Sequence, residues 1–411
     1  MPRLRFGASA HALHALRQRL SNALDPGQAE REWRWLVEHA LALRNQPRPS
    51  TVFAPTPRYA IQRLRSKFPP SAGLTSIANH SPTAARLPNP FPETRALTRS
   101  QQHWLHWALF ERIHHHKPLQ YILGTQPFGA LDILTRPPTL IPRWETEEWV
   151  LWLADQITQL LTASAAESGH QRPKGHRIVD LCTGTGCIAL ALAHYLPRHS
   201  AALVGVDIAP TAYQLARANQ RNHRNKVRNG VKFTKGDALS AKLPVLLHHE
   251  FRPLDHSQGL VDMVVTNPPY VPLSQYRGLA PEVKRWEDPV ALIPRPLVHC
   301  ADADLAARES HQLRGSPEPT LGVEFYTRLI PHLVQHRIIQ PSGHPSPRAC
   351  DLLSIRRLGP SDMLDSVPRL VMEIGGSAQV QSIGECLARA GFTRILVRPD
   401  LAGNDRVVLA W

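Results

Sequence analysis

The spacing of hydrophobic positions changes along this chain. In its first third, apolar residues recur every three or four positions over residues 11–24, 27–45 and 101–113, which is the spacing of one face of a helix. From residue 176 onward, short runs rich in Val, Ile and Leu alternate with helical stretches. The chain therefore predicts a helical part followed by a part that alternates strands with helices.

The second part contains apolar runs of strand length. Residues 187–196 and 211–222, which lie between the first three runs, have helical spacing instead. Strands that alternate with helices pair in parallel and are covered on both faces. We therefore predict an α/β fold with a mostly parallel, doubly wound, Rossmann-like sheet. The predicted strands are residues 178–181, 203–206, 231–233, 261–265, 370–374, 395–397 and 407–410.

Stretches rich in Pro, Arg, Ser and His interrupt these patterns at 46–100, 293–320 and 341–367. We interpret them as insertions, the first poorly ordered and the others in surface loops, where length costs little entropy. Glycine turns in 118–141 predict a β-hairpin connector, and a long helix is predicted to begin near Arg143. The expected order is a first segment at 1–24, a helical domain at 25–117, the connector at 118–141 and the α/β domain at 142–411.

The composition of the 411-residue chain sets broad limits. Its net charge of +15 reflects either an arginine-rich genome or attraction to nucleic acid or to a partner that carries RNA, and no dense basic run decides between them.

The five cysteines form no C-x-x-C pair, so neither a disulfide framework nor structural zinc is indicated. The adjacent residues His114, His115 and His116 would point in different directions on a helix, so we predict no metal site. No apolar stretch is long enough to span a membrane, and we expect a soluble intracellular protein.

The first 24 residues carry four arginines and no acidic residue before Asp25, while leucines recur at helical spacing. An Arg-rich, acid-poor amphipathic start is typical of a mitochondrial transit peptide. The same leucine stripe also suits the first helix of the helical domain. We predict a mitochondrial location, with the cytoplasm as the alternative.

A glycine-rich turn follows the first predicted strand, in the run Asp180-Leu181-Cys182-Thr183-Gly184-Thr185-Gly186. Glycines there let the backbone approach a ligand closely, and Asp207, which ends the next strand, can accept both hydroxyls of a ribose. The pattern predicts a nucleoside site, but it also fits the G-x-G-x-x-A fingerprint of dinucleotide binding.

S-Adenosylmethionine fits the surrounding residues better than a nicotinamide dinucleotide does. Asp180 suits the amino-acid end of that ligand, and Asp237 with Ala238, after the third strand, can meet its adenine. These residues follow neighbouring strands, at the edge where open α/β sheets bind ligands. We therefore predict methyl transfer rather than hydride transfer.

The residues Asn267-Pro268-Pro269-Tyr270 follow the fourth predicted strand. A planar NH2 group is a poor nucleophile because its lone pair is delocalised, and the Asn267 side-chain oxygen with the Pro268 carbonyl can accept its two N–H bonds. Tyr270 would then stack on the flat face of the substrate. Asn-Pro and Pro-Pro are also common turn signals, but a position two loops beyond a nucleoside site favours a catalytic role.

These blocks, in this order, resemble those of the HemK/PrmC protein-(glutamine N5) methyltransferases, which modify peptide-chain release factors. The resemblance covers residues 102–292 and 322–411. Three features depart from the family pattern: Trp144 stands where proline is usual, an extra residue follows the block 373–375, and the three insertions have no counterpart. None of these departures touches the chemistry. The matching segments are 118–124, 126–129, 140–143 with 145–147, 180–186, 267–270, 373–375, and 400–403 with 405–406.

The resemblance implies a class I S-adenosylmethionine-dependent methyltransferase whose helical domain grips a release factor. The implied substrate is the glutamine of that partner's Gly-Gly-Gln loop, and the expected protein is a monomer that requires neither membrane nor nucleic acid. The implied catalytic residues are Asn267, Pro268 and Tyr270, and the substrate also meets Pro269 and Phe128, whose loop would close over the site. The expected cofactor-binding residues are Asp180, Cys182, Thr183, Gly184, Thr185, Gly186, Asp207, Asp237, Ala238 and Asn267.

Two other functions stay open at this point. The same tetrapeptide geometry serves the exocyclic amine of adenine in DNA or RNA, although the chain has no aromatic-interleaved basic segment or zinc ribbon that would read nucleic acid. A noncatalytic scaffold that binds release factors would keep the fold, but the intact Asn267 and Asp207 favour an enzyme.

Overall fold

The computed structural model describes residues 10–43, 97–167, 175–251, 260–294, 321–343, 355–359 and 362–411. The chain divides into two compact units, Met1–Leu123 and Gly124–Trp411. The predicted insertions lie largely outside the described residues, and only their ends can be compared with the structure. Within the described ranges, no helix has the length and apolar character needed to span a membrane.

The first unit contains the helices α1 (Ala10–Ala23), α2 (Pro26–Ala42), α3 (Arg99–His114) and α4 (Leu119–Leu123). Asp25 caps α2 by accepting a hydrogen bond from the Gly27 N–H at 2.7 Å. Thr98 and Gln101 form a reciprocal capping box at the start of α3. Helix α3 thus begins inside the stretch that we predicted as an insertion.

The core of this unit lies between α1, α2 and α3. Leu20, Leu36 and Leu105 are completely buried there, so α1 packs against the other helices of the unit. Beside this core, Arg112 donates two hydrogen bonds to the carboxylate of Glu32, at 2.7 and 2.9 Å, and both side chains are buried. A buried bidentate pair of this kind fixes how α2 meets α3.

A β-hairpin opens the second unit, with β1 (Thr125–Phe128) antiparallel to β2 (Leu131–Leu134). Residues 119–123, which we predicted as part of the hairpin connector, form α4 instead. The Tyr121 N–H bonds to the Pro118 carbonyl, and apolar side chains of this short helix join the core of the first unit. The hairpin prediction therefore holds only for the strands that follow.

An eight-stranded sheet forms the centre of the second unit. Its strands are β3 (His176–Leu181), β4 (Ala201–Asp207), β5 (Gly230–Lys235), β6 (Met263–Thr266), β7 (Ile355–Arg357), β8 (Leu370–Glu373), β9 (Ile395–Pro399) and β10 (Asp405–Ala410). They lie in the order β5-β4-β3-β6-β8-β10-β9-β7. Strand β10 is antiparallel to both neighbours, and the other pairs are parallel. This arrangement confirms the predicted α/β fold class.

Helices cover both faces of this sheet. Ile178 packs in an apolar cluster on one face and the next residue, Val179, packs in a second cluster on the other, because side chains alternate along a strand. Two cores therefore share one sheet. The helices are α5 (Trp144–Glu167), α6 (Cys187–Tyr195), α7 (Pro210–His223), α8 (Leu243–Glu250), α9 (Leu273–Gly278), α10 (Pro281–Trp286), α11 (Pro289–Leu292), α12 (Glu324–Gln335) and α13 (Ser377–Arg389).

One edge of the sheet differs from the sequence prediction. Strand β7 lies within the predicted loop insertion at 341–367 and pairs in parallel with β9. Leu358 and Leu364, from the same insertion, are buried in the core. The pattern does not indicate this strand because it is only three residues long and two of them are exposed.

Candidate active site

The turn between β3 and α6 has a backbone that requires glycine. Cys182, Gly184 and Gly186 have φ angles of +60°, +56° and +83°, a left-handed region that most residues avoid. A Cβ atom on Gly186 would lie 2.7 Å from Cζ of Phe233, whereas one on Gly184 would meet nothing within 4 Å. The backbone at Gly184 is therefore open to a ligand.

Buried polar groups hold this turn from below. The Asp180 carboxylate accepts hydrogen bonds from the Thr183 hydroxyl and from the Ala189 N–H, the latter at 3.2 Å. Burial raises the pKa of Asp180 to about 7, and its Oδ1 is buried without a hydrogen-bond partner in the described part of the chain. Asn219 donates to the Thr185 carbonyl at 2.9 Å. Asp180 and both threonines thus shape the turn.

Asp207 ends β4 opposite the turn. Its Oδ2 accepts the Gly184 N–H at 2.8 Å and its Oδ1 accepts the Ala209 N–H at 2.9 Å. Burial raises the pKa of Asp207 despite these two hydrogen bonds, which lower it. Each carboxylate oxygen keeps a further lone pair, so Asp207 can still accept hydrogen bonds from a ligand diol.

A cavity of about 200 Å³ lies beside Asp207 and Gly184. The loops that follow β3, β4, β5 and β6 contribute to its wall. This is the edge at which an open α/β sheet is expected to bind a ligand. The predicted residues on its wall are Cys182, Gly184, Asp207, Asp237, Ala238, Asn267 and Pro269. Of the predicted cofactor-binding residues, Asp180, Thr183, Thr185 and Gly186 do not line it and are buried in the protein interior. The predicted substrate residues Pro268 and Tyr270 do not line it either.

The charge on the cavity wall bears on the choice of cofactor. Among the described residues, Asp207, Asp237 and Asp288 line the cavity, together with the basic residue Arg328. A sulfonium cation that carries an adenosine suits this wall, because carboxylates attract the cation and accept ribose hydroxyls. The pyrophosphate of a dinucleotide would be repelled by the same carboxylates. The side chains present therefore fit S-adenosylmethionine better than the dinucleotide alternative.

Asn267 follows the end of β6 and lies on the cavity wall. Its Nδ2 donates a hydrogen bond to the Thr146 hydroxyl at 3.1 Å. Neither its Oδ1 nor the Pro268 carbonyl accepts a hydrogen bond from any residue that the structure describes. Both acceptors are thus unused within the described residues, although Pro268 is buried and, unlike Asn267, does not line the cavity.

Tyr270 is held at both its side chain and its backbone. The hydroxyl donates to Glu373 Oε1 at 3.1 Å, and the carbonyl accepts from Gln379 Nε2 at 2.9 Å. Burial and then the Glu373 charge raise the pKa of the Tyr270 phenol well above its usual value, so the phenol stays protonated and keeps donating. The residue is partly exposed, which leaves part of it free for contact with a substrate.

Phe128 differs from the expectation that its ring closes over the site. The structure buries it completely, in the apolar cluster that contains Trp149. Pairing with Leu131 in the hairpin turns both side chains toward this core. Phe128 does not line the described cavity, so substrate contact by this ring finds no support in the structure.

Several residues of the cavity wall are not among the sequence predictions. Leu140 and Ile208 supply apolar surface. Leu140 begins a recognised family block and Ile208 follows Asp207, so these positions were the available signal. Phe325 and Arg328 come from α12. A helical pattern shows that α12 has an apolar face, but not that this face reaches the site.

Comparisons with known proteins bear on this site. Residues 173–265 match the family described as methyltransferase domain. Over 292 residues the chain is 34% identical to the release factor glutamine methyltransferase of Geobacter sulfurreducens, and this alignment covers 71% of this chain and 72% of that protein. Over 190 residues it is 37% identical to the mitochondrial MRF1 N(5)-glutamine methyltransferase MTQ1 of Saccharomyces cerevisiae, and this alignment covers 46% of this chain and 53% of MTQ1.

Another relative is matched over about half of its length, and the solved structures match with low TM-scores and low identity. The chain spans about half the length of MTQ1 and of the release factor glutamine methyltransferase of Streptomyces coelicolor, to which it is 34% identical over 46% of this chain and 56% of that protein. The hMettl16 catalytic domain has a TM-score of 0.39 at 15% identity, over 76% of this chain and 82% of that chain. A SAM-dependent methyltransferase from Aquifex aeolicus has a TM-score of 0.28 at 11% identity, over 63% and 97%.

The matched methyltransferase domain contains β3, β4 and β5, and with them the glycine-rich turn and Asp207. This match confirms the predicted class of methyltransferase fold and S-adenosylmethionine as the cofactor. The alignment to the Geobacter protein extends well beyond that domain, over most of both chains. The chain therefore belongs to the family of release factor glutamine methyltransferases.

Proposed function

We propose that this protein transfers the methyl group of S-adenosylmethionine to the side-chain amide nitrogen of a glutamine, in the Gly-Gly-Gln loop of a peptide-chain release factor. Family membership supports the proposal. The observation that carries it is the pair of acceptors at Asn267 and Pro268 that no described donor uses, with Asn267 on the wall of a cavity that suits the cofactor. A planar amide is the group that such a pair grips.

The protein has to make a poor nucleophile react. The Asn267 Oδ1 and the Pro268 carbonyl hold the two N–H bonds of the amide and stabilise the positive charge that develops on its nitrogen. Tyr270 packs against the amide plane and limits its rotation, so most of the rate acceleration comes from orientation. S-Adenosylmethionine, when bound, supplies an electrophilic methyl group. The methylated nitrogen is strongly acidic, and it loses its proton without a dedicated base.

The two alternative functions have less support. The exocyclic amine of adenine would fit the same acceptors, but the named relatives of this chain act on release factor glutamine. A noncatalytic scaffold would not need a free pair of acceptors next to the cofactor cavity. Neither alternative is favoured by a specific contact in the described part of the chain.

A mitochondrial location is part of the proposal. The Arg-rich, acid-poor start of the chain supports it, and so does the mitochondrial name of the yeast relative. Imaging of the full chain with a C-terminal fluorescent tag tests it. Fluorescence that fills the cytoplasm and avoids a mitochondrial marker would contradict this location.

The Asn267→Ala variant tests the catalytic assignment. Loss of one positioned polar contact costs about 2–4 kcal/mol in the transition state, so we expect the rate of methyl transfer to a release factor to fall about 30- to 1000-fold. Single-turnover kinetics with labelled cofactor measure this rate. Mass spectrometry of the product should place the methyl group on the glutamine of the Gly-Gly-Gln loop.

The matched control is Asn222→Ala, which changes an exposed asparagine of α7 and should keep the wild-type rate. A near wild-type rate in Asn267→Ala would sink the catalytic assignment. Label that enters total RNA but not the release factor would favour the adenine alternative instead.

A further inference from the structure

A series of hydrogen bonds links the active-site residue Asn267 to two buried residues, Thr146 and Glu373. Thr146, in the first turn of α5, donates its hydroxyl proton to Glu373 Oε2 at 2.7 Å. The same hydroxyl accepts the hydrogen bond from Asn267 Nδ2 at 3.1 Å. Thr146 and Glu373 are only 2% and 1% exposed. The family blocks at 145–147 and 373–375, which the mechanism above does not use, are therefore joined to the reactive tetrapeptide.

The sheet explains why these residues meet. Thr266 of β6 is paired with Met372 of β8 in parallel register, so Asn267, the first residue after β6, lies at the level of Glu373, the last residue of β8. The side chain of Thr146, from α5, bridges them. The register of β6 and β8 and the position of α5 thus both determine that Asn267, Thr146 and Glu373 are linked.

Glu373 fixes the direction of the hydrogen bonds. Burial raises the pKa of Glu373, against the hydrogen bonds from Trp149, Thr146 and Tyr270, which lower it. The Trp149 indole N–H can only donate, so Glu373 Oε2, which it meets at 2.8 Å, is an acceptor and also accepts the Thr146 hydroxyl proton. The Tyr270 hydroxyl lies 3.1 Å from the other oxygen, Oε1, which is where a protonated carboxyl group would carry its proton. Thr146 has a single hydroxyl proton, which is committed to Glu373, so its oxygen can only accept. The Asn267 amide must therefore turn its NH2 toward Thr146 and its Oδ1 away from it.

The orientation of this amide decides whether it can hold a substrate. The two ends of an asparagine amide have nearly the same shape but opposite hydrogen-bonding roles. A flipped Asn267 would present donors to a substrate NH2 group that also has only donors to offer. The grip on the substrate nitrogen would then be lost without any change in the backbone.

We propose that Glu373 and Thr146 are positioning residues for methyl transfer: the buried carboxylate orients the Asn267 amide through Thr146 and anchors the Tyr270 ring directly. Neither residue lines the described cavity. The inference rests on the proposed function for the reaction that it serves, but the orientation of Asn267 can be measured independently of that reaction.

Two replacements of Thr146 separate its hydrogen bonds from its packing. Valine has a similar shape without the hydroxyl, so in Thr146→Val the Asn267 amide loses its partner and both orientations become accessible. We expect kcat for release factor methylation to fall about 5- to 30-fold, the effect of one buried hydrogen bond, while the KM for the release factor and the Kd of the cofactor change much less. Thr146→Ser keeps the hydroxyl and should restore most of kcat.

Trp149→Phe is the matched control. It removes another hydrogen bond to the same oxygen of Glu373, but it leaves the bonds from Glu373 through Thr146 to Asn267 intact. We expect it to lower thermal stability without a comparable loss of kcat. If kcat in Thr146→Val and Trp149→Phe instead falls in proportion to the stability that each variant loses, the role of Thr146 is structural and the proposal is overturned.

Selective ¹⁵N labelling of asparagine gives a readout that needs no substrate. The side-chain NH2 signal of Asn267, assigned by its absence in Asn267→Ala, should move in Thr146→Val and return in Thr146→Ser. If the wild-type protein fails to methylate a release factor, the proposed function fails, and this signal still decides the orienting role. An Asn267 signal that is identical in the wild type and in Thr146→Val would overturn the inference.

Discussion

Asp180 carries a carboxyl group that holds its proton more tightly in the folded protein than in water. Burial raises its pKa to about 7, and the hydrogen bonds from Thr183 and Ala189 do not offset the cost of burial. The folded state therefore binds this proton more tightly than the unfolded state does. The contribution of Asp180 to stability is present at low pH and is lost as the pH rises through about 7.

We therefore expect the Asp180→Asn variant to lose less stability than the wild type between pH 5 and pH 8. The difference between their free energies of unfolding should change by on the order of 2–3 kcal/mol over this range, because the amide cannot titrate. Chemical denaturation at several pH values, without cofactor, measures the change. Parallel pH profiles of the two proteins would contradict the argument.

At the residue scale, the sequence predicts where many groups lie better than what each group does. Cys182, Gly184 and Asp207 line the cavity as the strand ends predict. The side chain of Thr183 instead bonds to Asp180, because the tight turn directs it into the protein. The contact between Asn267 and Thr146 joins residues that are 121 positions apart, and no local pattern indicates such a contact.

At the element scale, strand β4 meets the glycine-rich turn at Gly205. A Cβ atom on Gly205 would lie 2.4 Å from a ring carbon of Phe233 and 2.7 Å from the Thr183 hydroxyl. Phe233 also packs where a side chain on Gly186 would lie. The fit between β4, β5 and the turn thus depends on the absence of a side chain at Gly205.

The Gly205→Ala variant is therefore expected to be less stable by about 1–3 kcal/mol, because overpacking forces neighbouring groups to move. It should also bind S-adenosylmethionine more weakly, since the turn shifts with Thr183. Gly230→Ala is the control, because a Cβ atom there would meet nothing within 4 Å. Thermal unfolding and calorimetric titration measure both effects. Equal stability of the two variants would refute the packing argument.

Elements with a long periodic pattern are predicted close to their observed bounds. The predicted helix at 211–222 is observed at Pro210–His223, and the predicted strand at 203–206 is observed at Ala201–Asp207. The short elements α4 and β7 are missed. A segment of three to five residues shows too little of any period, so its structure is decided by contacts with distant parts of the chain.

At the scale of the whole molecule, alternating strands and helices are sufficient to predict the α/β class. Strand order is a different matter, because it depends on pairing between distant segments. Strand β10, the last element of the chain, lies inside the sheet between β8 and β9 and is antiparallel to both. Its apolar residues predict a strand, but they carry no information on which neighbours it has.

Strand β7 affects what the sheet can do in contact with other molecules. Among the described residues it is the outermost strand on its side, and a strand edge without a partner can template the addition of another chain. This edge is only three residues long, and two of them are Arg356 and Arg357, which pair with Asp362 and Asp405. Short length and charged side chains are features that prevent edge-to-edge association. The described part of the stretch that we predicted as a loop insertion therefore ends the sheet in an edge of a kind that disfavours such association.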